Sequence, residues 1–171
     1  MNPVIRRESP SDVAAIQAVT VAAFLNAPHT DHTEHLIIEA LRKDGALTIS
    51  LVAELAGEVV GHVAVSPVSI SDGSLGWYGL GPISVGPALQ GRGIGSLLVQ
   101  AALRLLREQG ASGCVLLGDP AYYSRFGFKP QPGLTAPDLP PEYFQALPFG
   151  PSSPHGVVTY HEAFSAWRSA R

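Results

Sequence analysis

The sequence predicts an α+β fold: a mixed, mostly antiparallel central sheet flanked by helices. Three observations carry that prediction. Two β-rich runs, 47–55 and 58–70, are separated only by Ala56-Gly57, which reads as a tight antiparallel hairpin. One strongly amphipathic helix, about 92–109, stands between strands at 77–85 and 114–117, and such a crossover joins parallel strands. No further strand–helix–strand unit follows, so the alternation of a doubly wound sheet is missing.

Taken in order, residues 3–7 read as the first strand. Ser9 caps a helix with Pro10 at its first position, running to about Phe24 with Val13, Ile16 and Ala23 inward. A second helix covers roughly 32–43 and carries Leu36, Ile37, Ala40 and Leu41; Gly45 ends it. After the hairpin, Asp72-Gly73 marks a turn. The strand at 77–85 contains Gly79, Gly81 and Pro82, and a proline inside a strand marks an edge or a bulge. In the 92–109 helix, Ile94, Leu97, Leu98, Ala101, Leu105 and Leu106 fall on one face, and Gly110 closes it. A buried strand at 114–117 and a short helix at 120–126 follow, and Gly127-Phe128-Lys129 opens another strand. Residues 130–155, rich in Pro and Gly, read as an ordered loop around one helical turn at 141–147. A last strand at 156–160 precedes a short terminal helix. Without repeats or linkers, one domain spanning 1–171 is expected, with 130–171 an extension packed on it.

Composition narrows the function classes. A chain of 171 residues with 46% apolar and 15% charged residues buries a core and is not disordered. A net charge of −3 with scattered basic residues argues against a nucleic-acid partner. The single cysteine, Cys114, lies in the apolar run Cys114-Val115-Leu116-Leu117 and reads as a buried strand thiol. Arg6, Arg7 and Glu8 interrupt the N-terminus before a signal peptide could form, and no apolar run is long enough for a membrane span. A soluble cytoplasmic protein, monomer or homodimer, is expected.

The chemistry concentrates in Ile83-Ser84-Val85-Gly86-Pro87-Ala88-Leu89-Gln90-Gly91-Arg92-Gly93-Ile94-Gly95-Ser96. A strand end passes through a glycine-spaced loop into a helix. Glycines at 91, 93 and 95 allow close backbone approach, and the first helical turn presents unpaired N–H groups at the positive end of its dipole. That combination suits a pyrophosphate. Gln90 adds an amide and Arg92 a charge at the mouth. A dinucleotide-binding oxidoreductase shares part of this pattern, with Asp119 as its acid, but Ser96 stands where its third glycine belongs. No Gly-Lys-Ser/Thr triplet exists for a nucleotide triphosphate loop.

The chain resembles the GCN5-related N-acetyltransferase superfamily. Its signature Gln/Arg-x-x-Gly-x-Gly/Ala is matched by Gln90-Gly91-Arg92-Gly93-Ile94-Gly95, and Tyr-x-x-x-Gly-Phe by Tyr123-Ser124-Arg125-Phe126-Gly127-Phe128. Residues 118–128, together with Leu51-Val52-Ala53-Glu54 and Val60-Gly61-His62-Val63, resemble the bacterial YhbS-like predicted acetyltransferases. The resemblance implies a cleft where the fourth and fifth strands splay apart, holding acetyl-CoA as cosubstrate. Backbone groups of Ile83, Ser84 and Val85 would pair with the pantetheine arm. N–H groups of Gln90, Gly91, Arg92, Gly93, Ile94, Gly95 and Ser96 would hold the pyrophosphate. Tyr123 would be the general acid for the departing thiolate. Tyr122 reads as structural.

Two departures qualify this reading. The family's Asn seven residues before the tyrosine is Leu116 here, and strand 77–85 lacks the acidic residue that many members use as a base. Deprotonation would then run through water to backbone, or to His62, Glu34 or Asp119. The missing acid also favours an alternative, a non-enzymatic acyl-CoA-binding regulatory module. His29, His32 and His35 with Asp31 suggest a metal, but no further spaced ligand supports one, so no metal is expected. The acceptor is an amine whose pocket the 24–35 and 130–155 segments would shape.

Overall fold

The computed structural model describes residues 2–27, 30, 32–151 and 153–165. Strand β1 is Val4–Arg7, followed by a 3-10 turn at Pro10–Asp12, helix α1 (Val13–Phe24) and helix α2 (Glu34–Lys43). Strands β2 (Ile49–Leu55), β3 (Glu58–Ile70) and β4 (Trp77–Val85) lead to helix α3 (Ile94–Glu108), strand β5 (Gly113–Leu117) and helix α4 (Pro120–Tyr123). The C-terminal part adds β6 (Leu134–Thr135), β7 (Phe144–Pro148) and β8 (Gly156–Tyr160). The main sheet has the order β1-β2-β3-β4-β5-β7, with β8 pairing the far end of β3 and β6 pairing β8.

The hairpin forms as read. Ala56 and Gly57 both take positive φ, 52° and 81°, the geometry that matches strand twist in a two-residue turn. Among the described residues only β4–β5 and the two-residue β6–β8 pair are parallel. On one face α3 covers the sheet, with Ile94, Leu98 and Leu106 against Ile49, Leu51, Val63 and Val65. On the other, Ile16 of α1 and Ile38 of α2 pack on Val52 and Ala64. Trp77, Val115, Phe144 and Val158 form a further cluster under the C-terminal strands. The entry to α1 is fixed by Asp12, which accepts from Ser9 N at 2.7 Å and pairs with Arg6 at 2.7 Å.

Several expectations are corrected. The helical turn read at 141–147 holds only at its start, where Tyr143 N and Phe144 N both donate to Pro140 O; Phe144–Pro148 is a strand, paired antiparallel with β5 from Leu117↔Phe144 to Gly113↔Pro148. The sequence Phe-Gln-Ala-Leu-Pro is short and bounded by prolines, and only the open edge of β5 makes it a strand. Residues 127–129 form no strand of their own, only the bridge Lys129↔Ala146. Ile16 faces inward as read, at 1% exposed, but Val13 is 37% exposed at the start of α1, and Val19 and Thr20 complete the buried face. Leu97 is 40% exposed on the flank of α3, while Val99, Ala102 and Leu103 join the buried stripe. The terminal helix is described only as a 3-10 turn at Glu162–Ser165; its remainder lies outside the described residues. No described helix is long and apolar enough to cross a membrane.

Candidate active site

The site begins where two parallel strands part. β4 and β5 are paired only through Trp77↔Gly113, Tyr78↔Cys114 and Gly79↔Val115. Beyond Gly79, β4 runs on to Val85 while β5 ends at Leu117, so the β4 edge from Leu80 to Val85 has no strand beside it. The β3–β4 register shifts between Val63↔Ile83 and Val65↔Leu80, placing an extra β4 residue at the cis Gly81-Pro82 step. Such a bulge redirects backbone groups and side chains beyond it. Ile83 and Val85 therefore turn toward the α3 face and pack on its core. Ser84 turns the other way, buried, with Oγ donating to Thr20 Oγ1 at 3.3 Å. Only the backbone of Ser84 stands at the open edge.

The loop after β4 brings the predicted anion cradle to this edge. Gln90 is exposed, and its Nε2 donates to Val85 O at 3.0 Å, tying the loop to the strand end. Gly91 and Gly93 have φ of 78° and 84°, and a Cβ on either would meet nothing within 4 Å. Their glycine character therefore answers to backbone conformation and open space, not to crowding by this chain. Gly93 is the N-cap of α3, whose first turn presents the N–H groups of Ile94, Gly95 and Ser96. The Ile94 side chain itself is 4% exposed in the core, so only its N–H faces the loop. Arg92 is exposed and makes no ion pair among the described residues.

Tyr123 stands at the end of α4, just past β5. Asp119 caps that helix, accepting from Ala121 N at 2.9 Å, with Pro120 at the first position. The ring lies flush on Gly118, where any Cβ would collide with it. It meets Tyr122 edge-on at 4.9 Å and Phe128 at 6.2 Å. Its hydroxyl has no hydrogen-bond partner among the described residues. Burial, reinforced by Tyr122, pushes the phenol up to about 12, which keeps it protonated at neutral pH.

Tyr122, read as structural, and Gln145, which the sequence reading left aside, hold this arrangement. Tyr122 Oη and Ser96 Oγ stand 2.9 Å apart, joining α4 to the first turn of α3. Gly95 is the close approach: a Cβ there would lie 3.4 Å from Tyr122 Oη. Arg125 stacks on the Tyr122 ring at 4.3 Å and donates from Nε to Tyr122 O. Gln145 is fully buried on β7, opposite Leu116, and its Nε2 donates to Gly118 O at 2.9 Å. The position of the family's Asn is thus apolar, and an amide reaches the β5 end from the neighbouring strand. Gln145 was legible only as the one polar residue of a strand that the sequence did not reveal.

The suggested bases are dispersed. Glu34 accepts from Thr30 Oγ1 at 2.5 Å at the start of α2. Asp119 is spent on its cap. His62 is buried on β3, its Nε2 2.8 Å from Ser50 Oγ. His29 and Asp31 lie outside the described residues, and among the described residues no group of His, Cys, Asp and Glu could hold a metal ion. Cys114 is fully buried, and desolvation pushes its thiol well above the ordinary range, as for an inert core residue.

Comparison with known proteins shows the family. Residues 13–128 match the profile described as the acetyltransferase (GNAT) family. The chain is 40% identical over 127 residues to the uncharacterized N-acetyltransferase YhbS of Escherichia coli K12, covering 74% of this chain and 73% of that protein. A GNAT family acetyltransferase from Brucella melitensis, solved in complex with acetyl-CoA, superposes with a TM-score of 0.85 at 52% identity, covering 95% of this chain and 97% of that one. YhbS from Escherichia coli, solved in complex with CoA, superposes with a TM-score of 0.88 at 35% identity, covering 96% and 93%. With a family profile across most of its length and such relatives over 74% or more of it, this chain belongs to the acetyltransferase (GNAT) family.

Proposed function

We propose that this protein transfers an acetyl group from acetyl-CoA to an amine, directly, in a ternary complex. The observation that carries the reading is the unpaired Leu80–Val85 edge of β4 ending in the open glycine loop, with the unpartnered Tyr123 hydroxyl beyond the end of β5. The relatives with bound acetyl-CoA and CoA support the same ligand here. Acetyl-CoA supplies the activated thioester.

The chain's own residues supply the rest. Backbone groups of Ile83, Ser84 and Val85 bind the pantetheine arm as an added strand would. N–H groups from Gln90 to Ser96 bind the pyrophosphate, with Arg92 adding charge. Rate enhancement comes chiefly from holding amine and thioester together, with strand N–H groups polarising the carbonyl. Tyr123 gives its phenolic proton to the departing sulfur. The 130–155 segment contributes a cavity of about 360 Å³ lined by Pro130, Pro132, Leu134, Leu139 and Phe144; Phe144 pairs with Leu117 at the β5 end. We assign the apolar body of the acceptor to this wall.

The test is a panel of primary amines with apolar and polar bodies, followed by free-thiol release from acetyl-CoA. Turnover with an apolar amine supports the reading. Tight acetyl-CoA binding with no acceleration by any amine favours the second reading, a non-enzymatic acyl-CoA-binding module, for which the acid-free β4 is the specific support.

A further inference from the structure

Arg125 is an exposed arginine whose side chain is pinned at two points. It sits on the 3-10 turn Ser124–Phe126 that continues α4. Its Nε donates to Tyr122 O at 2.9 Å, and its Cζ stands 4.3 Å from the centre of the Tyr122 ring. Fixing a long side chain costs rotamer entropy. A bond to a backbone carbonyl and a contact with a ring face offset that cost here. Neither contact uses the Nη atoms. With Nε committed, the four N–H donors on those two atoms make no hydrogen bond among the described residues. No carboxylate answers the charge either. Arg6 meets Asp12 and Glu54, Arg42 meets Glu8 and Arg104 meets Glu108, but Arg125 has no ion pair among the described residues. Asp119, the acid at the head of its own helix, accepts from Ala121 N at 2.9 Å.

The ring under this cation is the one fastened to the glycine loop's helix. Tyr122 Oη lies 2.9 Å from Ser96 Oγ, and a Cβ on Gly95 would lie 3.4 Å from the same oxygen. Three short steps therefore lead from the guanidinium to the first turn of α3. They are 4.3 Å to the ring centre, the length of the ring out to its hydroxyl, and 2.9 Å across to Ser96. A cation with unused donors, held in place and left without an acid, thus stands beside the N–H groups of Gly95 and Ser96.

We propose that Arg125 is a phosphate ligand of acetyl-CoA, placed by Tyr122 before the cofactor arrives. The proposal rests on the acetyl-CoA site of the proposed function, not on transfer to an amine. A diphosphate with a hydrogen bond at each end spans the interval between Ser96 and the guanidinium. One end takes the N–H groups of the first turn of α3, and the other takes the Nη fork. A planar fork matches phosphate oxygens two at a time, which a point charge does not. Holding it flat on a ring leaves less to be ordered on binding. Backbone N–H groups of the loop bring dipoles; Arg92 brings charge from the loop and Arg125 from the turn after α4. Tyr122 then positions two groups at once, Ser96 through its hydroxyl and Arg125 through its face and its carbonyl. The cofactor carries this chemistry in two places, the pyrophosphate and the ribose 3′-phosphate.

Calorimetric titration of the full-length protein tests the assignment, with acetyl-CoA and with acetyl-dephospho-CoA, which lacks the 3′-phosphate. In Arg125→Gln at low salt the Kd for acetyl-CoA is expected to rise about tenfold, the worth of one charge-assisted contact. An equal rise with acetyl-dephospho-CoA assigns the contact to the pyrophosphate, and a rise confined to acetyl-CoA assigns it to the 3′-phosphate. Salt separates a phosphate contact from a brace on Tyr122. The gap between variant and unmodified protein is expected to narrow from about 50 mM to about 500 mM salt, because an exposed charge contact is screened. A gap of the same size at both salt concentrations means that Arg125 only steadies Tyr122, and overturns the proposal. So does an unchanged Kd at low salt. Arg104→Gln removes an exposed charge further along α3 and is expected to leave the Kd as it was; an equal rise there reduces the effect to net charge and likewise overturns the proposal. If the unmodified protein binds neither thioester, the acetyl-CoA site itself fails, and Arg125 falls with it. That result is distinct from tight binding that Arg125→Gln leaves intact.

Discussion

Tyr122 Oη lies 2.9 Å from Ser96 Oγ, so the helix that carries Tyr123 is fastened to the first turn of α3. A pair on two separate elements, 26 positions apart in sequence, thereby sets the distance between the proposed anion cradle and the proposed acid. Removing the bond by Tyr122→Phe should cost about 1 kcal/mol of stability, the net worth of one such bond. The larger expected effect is functional, a several-fold rise in the Kd for acetyl-CoA. Calorimetric titration checks it; an unchanged Kd would mean that α4 is held by packing alone.

Gly93→Ala should abolish tight acetyl-CoA binding. The substitution also strains the backbone, since φ is 84° there, by roughly 1–2 kcal/mol. Gly110→Ala supplies the control: its φ is 80° and its Cβ would likewise meet nothing within 4 Å, but it lies at the far end of α3. Thermal denaturation should show similar losses for both variants, and only Gly93→Ala should lose the stabilisation conferred by acetyl-CoA. Equal ligand stabilisation in the two would reduce the loop to a helix entry.

Tyr123→Phe should lower kcat by about 10²–10⁴-fold while acetyl-CoA still binds. The ring keeps its seat on Gly118 and its contacts with Tyr122 and Phe128; only the unpartnered hydroxyl is lost. Single-turnover rates are the measurement, because slow product release would mask the step. A near-normal rate would remove Tyr123 from the chemistry.

Gly118→Ala acts on the same ring from behind. The added methyl collides with Tyr123, and the carbonyl that accepts from Gln145 must shift with it. A loss of about 1–3 kcal/mol is expected from overpacking, with kcat falling further than the Tm shift accounts for. Denaturant unfolding alongside kinetics separates the two.

Stability should fall between neutral pH and about pH 4. Desolvation lowers His62 to about 4, against an unfolded value near 6.5. The fold holds the ring neutral, so the unfolded chain binds more protons as pH drops through this window. The stabilising contribution is present above about 6.5, is lost progressively toward 4 and is constant below, amounting to about 3 kcal/mol. Urea unfolding at pH 7, 5.5 and 4 measures it, and His62→Gln should flatten the slope across that window. The same slope in both proteins would assign the acid lability to other groups.

The glycine spacing, the alternation of β2 and β3, the amphipathic stripe of α3 and the Tyr123 motif were legible because each depends on local chemistry. Glycine permits positive φ, a two-residue turn fixes a hairpin register, and helical periodicity marks a buried face. These were enough to resemble a family and to name residues 83–96 and Tyr123. Strand β7 was not legible, because Phe144–Pro148 becomes a strand only against the free edge of β5. Gln145 behind Gly118, Tyr122 on Ser96, and the line from His62 through Ser50 to Glu8 were equally hidden. Each joins residues 12 or more positions apart, and no local pattern encodes which side chains a folded sheet brings within 3 Å of one another. The sequence by itself determined most of the elements and the glycine-spaced loop between β4 and α3; only the tertiary structure decided that Phe144–Pro148 is a strand, what braces Tyr123, and which hydroxyl and carboxylate stand in line with the buried His62.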